Sequence, residues 1–488
     1  MSRRNIRPDS SKVDLNDLET WLPVYDFIDY DRLGALVEEE FVKFMEKTPK
    51  SAEMHKRASK HLLNGVATQW HANDWHTAHP FYTAKSKGNS IVDVDGNEYI
   101  DFNFGDTPDM FGHAPDGEAM DRITNEIKTN GANTMTSTEA AIEASLLLQD
   151  RFGQHMGLKY WSSAFTASDA NRFVIKMARI ITRRPKTLMF NFAYHGTVDE
   201  TLKHMPEPGK IEARVSMDIF AGQDLSADTA IVEFNDLEAV EAALKTGDIA
   251  LVIAEPVFTN GGWLFPKEGF WDSVAELCEK YRTYLCFDET HTLSVGPSGY
   301  AGEWKLKCDF WTAGKSVGGG LPAAVYGFSE EVGEKFSHEI HNSGGIVGAG
   351  TYGVGTLCTG NHIQMTGIAA VMKQFFTQET YATMIEPMTF IVDELNKAME
   401  ARDVPFYWTQ MGNRCQVSFA PTPTTTREMV VSCGYGGFHE YLLFHGLNNG
   451  IMNMPYFPMY MTSPQTTMAQ AQKFIDVKIE AIDNVLGK

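Results

Sequence analysis

From about residue 120 to residue 360, short apolar runs alternate with helical stretches, and no other feature limits the fold of this chain so strongly. The runs "TLMFNFAYHG", "IALVIAEPVF" and "TYLCFDETHT" are rich in Val, Ile, Leu and Phe, and "FWDSVAELCEKYR" between the last two spaces its apolar residues as a helix does. Strands of this composition joined by helical crossovers predict a mostly parallel sheet covered on both faces. In such sheets functional groups gather beyond the carboxyl ends of the strands, so the search for chemistry starts there.

The two ends of the chain read differently. "YDRLGALVEEEFVKFMEK", 30 to 47, spaces its apolar residues at helical intervals and predicts an amphipathic helix that packs on the body or on a partner subunit. "NSIVDVDGNEYIDFNFG", 89 to 105, flanks an Asp-Gly turn with apolar runs and predicts a hairpin. Beyond about 365 a long helical pattern passes into a mixed segment, with low complexity confined to "PTPTTT", and ends on helical "MAQAQKFIDVKIEAIDNVL". The fold class expected is α/β: a large domain over 119–365, a smaller α+β domain from 61–118 and 366–488, and an N-terminal extension over 1–60.

Bulk numbers narrow the partners. A formal charge of −21 repels polyanions, which argues against nucleic acid and anionic membrane surfaces. The six cysteines (278, 286, 308, 358, 415 and 433) are dispersed, without CxxC or a metal-ligand spacing, and read as small buried residues or as free thiols of a reducing compartment. The basic start "MSRRNIRPDSSKVDLND" lacks the apolar run of a signal peptide, and no stretch has the length of a membrane span, so a cytoplasmic location is expected.

Three polar signals fall at strand ends: Tyr194-His195-Gly196, Glu255-Pro256 and Asp288-Glu289. Each has a plain alternative, because a strand-end carboxylate often caps the next helix or turn. Lys315 follows one more apolar segment, in "TAGKSVGGG"; its Gly-Lys-Ser is not a P-loop, which needs glycine where Asp309 stands. Thr166, Ala167 and Ser168 precede a helix with apolar spacing at Phe173, Val174, Met177 and Ile180. That start offers free N–H groups and a positive dipole end to a phosphate, and ordinary capping explains it equally well. Together, a lysine, a strand-end carboxylate, an aromatic and an anion-binding helix start are the parts that hold pyridoxal phosphate.

The ordered motifs "DVDGNEYIDF", "FGHAP", "YHG", "AEPV", "FDET", "GKSVGGGLPAAVYG" and "GTLCTGN" resemble the class III aminotransferases of pyridoxal-phosphate fold type I, near the branch of glutamate-1-semialdehyde aminomutase and the amine and β-amino-acid transaminases. The likeness runs from about residue 80 onward. It implies Lys315 as the Schiff-base lysine, Asp288 as partner of the pyridine nitrogen, Tyr194 stacked on the ring with His195 beside it, and Glu255 near the cofactor. Thr166-Ala167-Ser168 stands where the family has Ser-Gly-Thr, so the backbone meets phosphate without glycine's freedom. Thr290 replaces a valine under the ring and adds a hydroxyl that bonds locally or tunes the ring. "GTLCTGN" is one residue longer than the family's stretch, which leaves Thr356, or else Thr359, to reach the phosphate of a partner subunit in a homodimer.

For the substrate, the resemblance points to Trp70 in "GVATQWHANDWHTAHPF" as a pocket wall and to Arg414 as a clamp for a carboxylate, against a salt-bridged arginine as the alternative. The histidines of that stretch have no metal-ligand spacing and read as loop packing. The leading expectation is a transaminase, taking nitrogen from an amine or an amino acid, ω- and β-amino donors included, to a keto-acid or aldehyde acceptor. The alternative is an aminomutase or racemase, which "GGGLPAAVYG" resembles apart from Ala324 and the "VYG" ending. A silent relative serving as a binding subunit is the third, and the presence of both Lys315 and Asp288 argues against it.

Overall fold

The computed structural model describes residues 28–71, 79–80, 82–214, 219–260, 262–342, 353–404, 406–418, 436–453 and 458–487. "PTPTTT", Trp75, His76 and Cys433 lie outside them. The chain divides into two compact units, one taking both ends, up to Pro115 and from Ala382, the other being Asp116–Tyr381.

In the unit of the two ends, helix Tyr30–Lys47 starts where Asp29 accepts from the Arg32 N–H at 3.1 Å. Its inner face carries Leu33 and Phe44, and Phe44 joins Tyr99, Phe444 and Leu447 in one apolar cluster, so the helix packs on this same unit. Strands β1 (Thr83–Lys87), β2 (Ser90–Asp93) and β3 (Glu98–Asp101) run antiparallel in order. Later strands are β13 (Tyr407–Met411), β14 (Arg414–Ser418), β15 (Ile451–Met452) and β16 (Met459–Met461). β15 adds to β3 in parallel, with Ile451 against Ile100, and this pairing ties the end of the chain to its beginning. Helix Met468–Leu486, opened by a Thr467–Gln470 capping box, lays Phe474 against Phe102 and Tyr460.

The other unit holds β4 (Leu158–Ala164), β5 (Lys186–Phe190), the hairpin β6 (Lys203–Glu207) and β7 (Lys210–Ala213), β8 (Thr229–Val232), β9 (Ile249–Ala254), β10 (Tyr284–Asp288), β11 (Phe310–Ala313) and β12 (Ala324–Ser329). Seven of these form one sheet in the order β4-β12-β11-β10-β9-β5-β8. β8, β5, β9, β10 and β11 are parallel, whereas β12 runs against both neighbours, so the sheet is mixed. Every residue of β9, β10 and β11 is buried, as strands covered on both faces require. Helix Ala167–Thr182 buries Phe173, Val174, Ile175 and Met177, and helix Phe270–Tyr281 buries Phe270, Trp271 and Val274, with Trp271 edge-on to Phe287 of β10.

Candidate active site

Strand register decides which loops meet. Asp288, the last residue of β10, pairs with Thr312 of β11, so His291 and Lys315 each lie three residues beyond a paired position. Phe287 pairs with Ala254 at the end of β9, which sends the loop from Glu255 to Asn260 out beside both.

Asp288 is buried and takes hydrogen bonds on both oxygens. Oδ2 receives Asn171 Nδ2 at 2.8 Å and His195 Nδ1 at 3.0 Å; Oδ1 receives the Thr290 hydroxyl at 2.6 Å and its N–H at 3.2 Å. Burial alone would raise this carboxyl, yet the bond and charge of His195, with Thr290 and Asn171, hold it below the ordinary aspartate value. Asn171 is itself fixed, donating also to the His195 carbonyl at 3.1 Å and accepting from the Thr312 hydroxyl at 2.6 Å. Thr290 thus bonds locally, to the carboxylate two residues before it. Neighbouring Glu289 behaves as a cap: it accepts from the N–H groups of Tyr300 and Ala301, the Thr292 hydroxyl and Trp311 Nε1.

The helix start is built to admit the adjoining loops. Thr166 is the N-cap, its Oγ1 accepting from Asp169 N–H at 3.1 Å, and Ala167 and Ser168 open the first turn. A Cβ on Gly196 would fall 2.0 Å from Ser168 Oγ, and one on Gly314 would fall 3.1 Å from Ala167 N. Glycine at both places therefore lets the Tyr194 loop and the Lys315 loop rest on the helix terminus. Thr197 N–H donates to Ser168 Oγ at 3.0 Å, and the Arg214 guanidinium lies 5.4 Å from the centre of the Tyr194 ring.

Lys315 has φ 52°, a left-handed conformation unusual for a side-chain-bearing residue and a form of strain found at working sites. Its Nζ is 2.5 Å from His291 Nε2; His291 Nδ1 is 2.7 Å from Thr259 Oγ1; and the Thr259 hydroxyl bonds to Glu255. Asn260 Nδ2 meets both Glu255 oxygens at 3.1 Å.

The structure thus brings Lys315, Asp288, Tyr194, His195, Thr166, Ala167, Ser168, Glu255 and Thr290 to the loop ends of one sheet. Sequence reasoning passed over His291, Thr259, Asn260 and Asn171. Two signals were available: polar residues following closely on strand-end acids, in "EPVFTN" and "FDETH", and one asparagine in the apolar stripe of a helix. Thr356 is exposed, in a turn whose Thr359 hydroxyl donates to the Thr356 carbonyl at 2.8 Å. The other unit holds the two substrate candidates. Trp70 belongs to the short helix Gln69–His71, its side chain outside the described residues. Arg414 is buried in β14, bonded to the Thr107 hydroxyl, with Nη1 3.7 Å from Asp106 Oδ1, the salt-bridged alternative.

These residues fit pyridoxal phosphate. A carboxylate held ionised suits a protonated ring nitrogen, the half-buried Lys315 amine suits an aldehyde, and the helix start at Thr166 suits a phosphate. The glutamate-1-semialdehyde 2,1-aminomutase of Thermodesulfovibrio yellowstonii is 30% identical over 447 residues, covering 91% of this chain and all of that protein. A solved glutamate-1-semialdehyde-aminomutase from Pseudomonas aeruginosa PAO1 is 31% identical, with TM-score 0.89 over 94% of this chain and 99% of its own; a variant of it was crystallised in complex with PMP. An omega-transaminase from Sphaerobacter thermophilus, 22% identical with TM-score 0.77 over 89% of this chain and 97% of its own, shares the fold. Residues 71–476 match the family described as aminotransferase class-III, and with these likenesses the chain belongs to the class III aminotransferases, as a pyridoxal-phosphate-dependent enzyme of fold type I.

Proposed function

We propose that the enzyme is an aminomutase of the glutamate-1-semialdehyde type, exchanging an amino group and a carbonyl between neighbouring carbons of one bound substrate. This reverses the order expected from sequence, where transamination led. The observation that carries it is the 30% identity to a protein of that activity across its whole length, joined to the match with the Pseudomonas structure. Pyridoxal phosphate, when bound, supplies an aldehyde that captures amines and a ring that takes up the electron pair of a broken C–H bond. Lys315 would then hold and move a proton at its Nζ, the Asp288 carboxylate would pair with a protonated ring nitrogen, Tyr194 would supply an aromatic face, and the start at Thr166–Ser168 would bind phosphate. Exchange within one substrate is redox-neutral, so these residues need no keto-acid partner.

The reading includes a homodimer of the cytoplasm, in which Thr356 reaches the neighbouring phosphate; Thr359 is already engaged within its own turn. No helix among the described residues is long and apolar enough to cross a membrane. The test is to give the purified holoenzyme glutamate-1-semialdehyde alone and follow products by mass spectrometry and NMR. The isomer with amino and carbonyl groups interchanged should accumulate without any acceptor. No isomer, together with nitrogen transfer from alanine or a β-amino acid to a keto acid, would return the enzyme to the transaminases.

A further inference from the structure

We propose that His291 is the proton acceptor for the Lys315 amine, held in one tautomer by Thr259 and Glu255. The inference rests on the reading of Lys315 as the amine that captures the cofactor.

The direction of the chain follows from what each group can donate. As a carboxylate Glu255 only accepts, so the single proton of the Thr259 hydroxyl points to it. The Thr259 oxygen is then the acceptor for His291 Nδ1–H at 2.7 Å. With its proton on Nδ1, His291 presents the Nε2 lone pair, and this is the atom 2.5 Å from Lys315 Nζ. His291, Thr259 and Glu255 are 6%, 0% and 5% exposed, so water does not replace a missing partner. The step balances simply: an N–H bond of the Lys315 ammonium breaks, its electron pair stays on Nζ, and the Nε2 lone pair binds the proton. The imidazolium formed faces Glu255 through Thr259, and the amine is left with the lone pair it needs as a nucleophile.

The test uses apoenzyme. Pyridoxal phosphate is added, and its covalent capture is followed by absorbance, with borohydride reduction and peptide mass spectrometry locating the lysine. Affinity for pyridoxamine phosphate, which has no aldehyde, is measured by calorimetry. His291→Ala should slow capture by about a hundredfold, the low end of the range for loss of one general base. Pyridoxamine phosphate affinity should change by less than about threefold, and added imidazole should restore part of the capture rate. Thr259→Val, nearly isosteric, should slow capture less. Capture at the wild-type rate in both variants overturns the proposal, as does a parallel loss of capture and pyridoxamine phosphate affinity, which marks a structural role. If His291→Ala fails to fold, Thr259→Val decides by the same two readouts. Wild-type protein that captures the cofactor elsewhere than Lys315 would instead sink the reading of Lys315.

Discussion

Lys315 is half-buried and Lys478 fully buried, and their surroundings make them different groups. Lys315 follows the end of β11 on a strained turn, and its amine meets a directed series of polar side chains, His291, Thr259 and Glu255. Lys478 sits in the middle of helix Met468–Leu486, fully buried, with Nζ 4.6 Å from the centre of the Tyr460 ring and 5.2 Å from that of Phe474. Its polar partners are Asn453 Oδ1 at 3.1 Å and the Leu442 carbonyl at 3.5 Å, and no carboxylate among the described residues bonds to it. Burial lowers the Lys478 amine to about 7. The difference lies in the neighbours: Lys315 meets an imidazole nitrogen, and Lys478 an amide oxygen and a carbonyl.

The largest effect should separate the two residues by activity. Lys315→Ala should cut turnover by about 10⁴-fold or more, because it removes the amine and its proton transfer together. Lys478→Met should leave turnover within about twofold. Steady-state kinetics of both variants, with cofactor content measured, checks this, and wild-type rates in Lys315→Ala would end the assignment.

Stability reverses the order. A lysine whose folded value is depressed from 10.5 to about 7 opposes folding wherever it must carry charge. That opposition is complete below about pH 7, fades as pH rises toward 10.5, and amounts to roughly 5 kcal/mol across the window. Wild-type protein should thus gain stability from this residue on going alkaline, and Lys478→Met should remove that slope while raising stability at neutral pH. Urea unfolding of both proteins at several pH values tests it; parallel curves would show that the lysine is charged in the folded state.

Asp288 is the anionic counterpart of Lys315. Asp288→Asn should reduce turnover by about 10²- to 10³-fold, since an amide cannot balance a protonated ring nitrogen. The same change has a signature in stability. A carboxyl held below its ordinary value contributes stability above the unfolded aspartate pKa and loses it as pH falls through the folded one. Acid unfolding of the asparagine variant should therefore lack that component, and near-normal kinetics would remove Asp288 from its role.

These contrasts also show what the sequence made legible. The apolar runs became β5, β9, β10 and β11, the residues from 30 to 47 became one helix, and 89 to 105 holds the β2–β3 pair, because composition and period report burial directly. Lys315 and Asp288 stood out as polar residues just past apolar strands. Lys478 went unremarked, although it occupies the stripe of Ala471, Phe474, Ile475, Ala481 and Ile482, where the period calls for an apolar residue. The His291 relay was hidden, because it depends on the register between β9, β10 and β11, which no single segment encodes.

The smallest effect refines the Asp288 side of the comparison. The Thr290 hydroxyl donates to Asp288 Oδ1 at 2.6 Å, drawing on the charge that the carboxylate would otherwise turn toward the ring. Thr290→Val keeps the branched shape and deletes the donor. Apoenzyme stability should fall by about 2 kcal/mol, the net value typical of a hydrogen bond to a charged group. Turnover should rise, by up to about fivefold, because a carboxylate with fewer donors holds a neighbouring cation more firmly. Thermal unfolding of apoenzyme and kcat of holoenzyme, measured on the same variant, separate these two consequences of one bond. A fall in both would mean that the hydroxyl serves the reaction, with Asp288 depending on it to stay ionised.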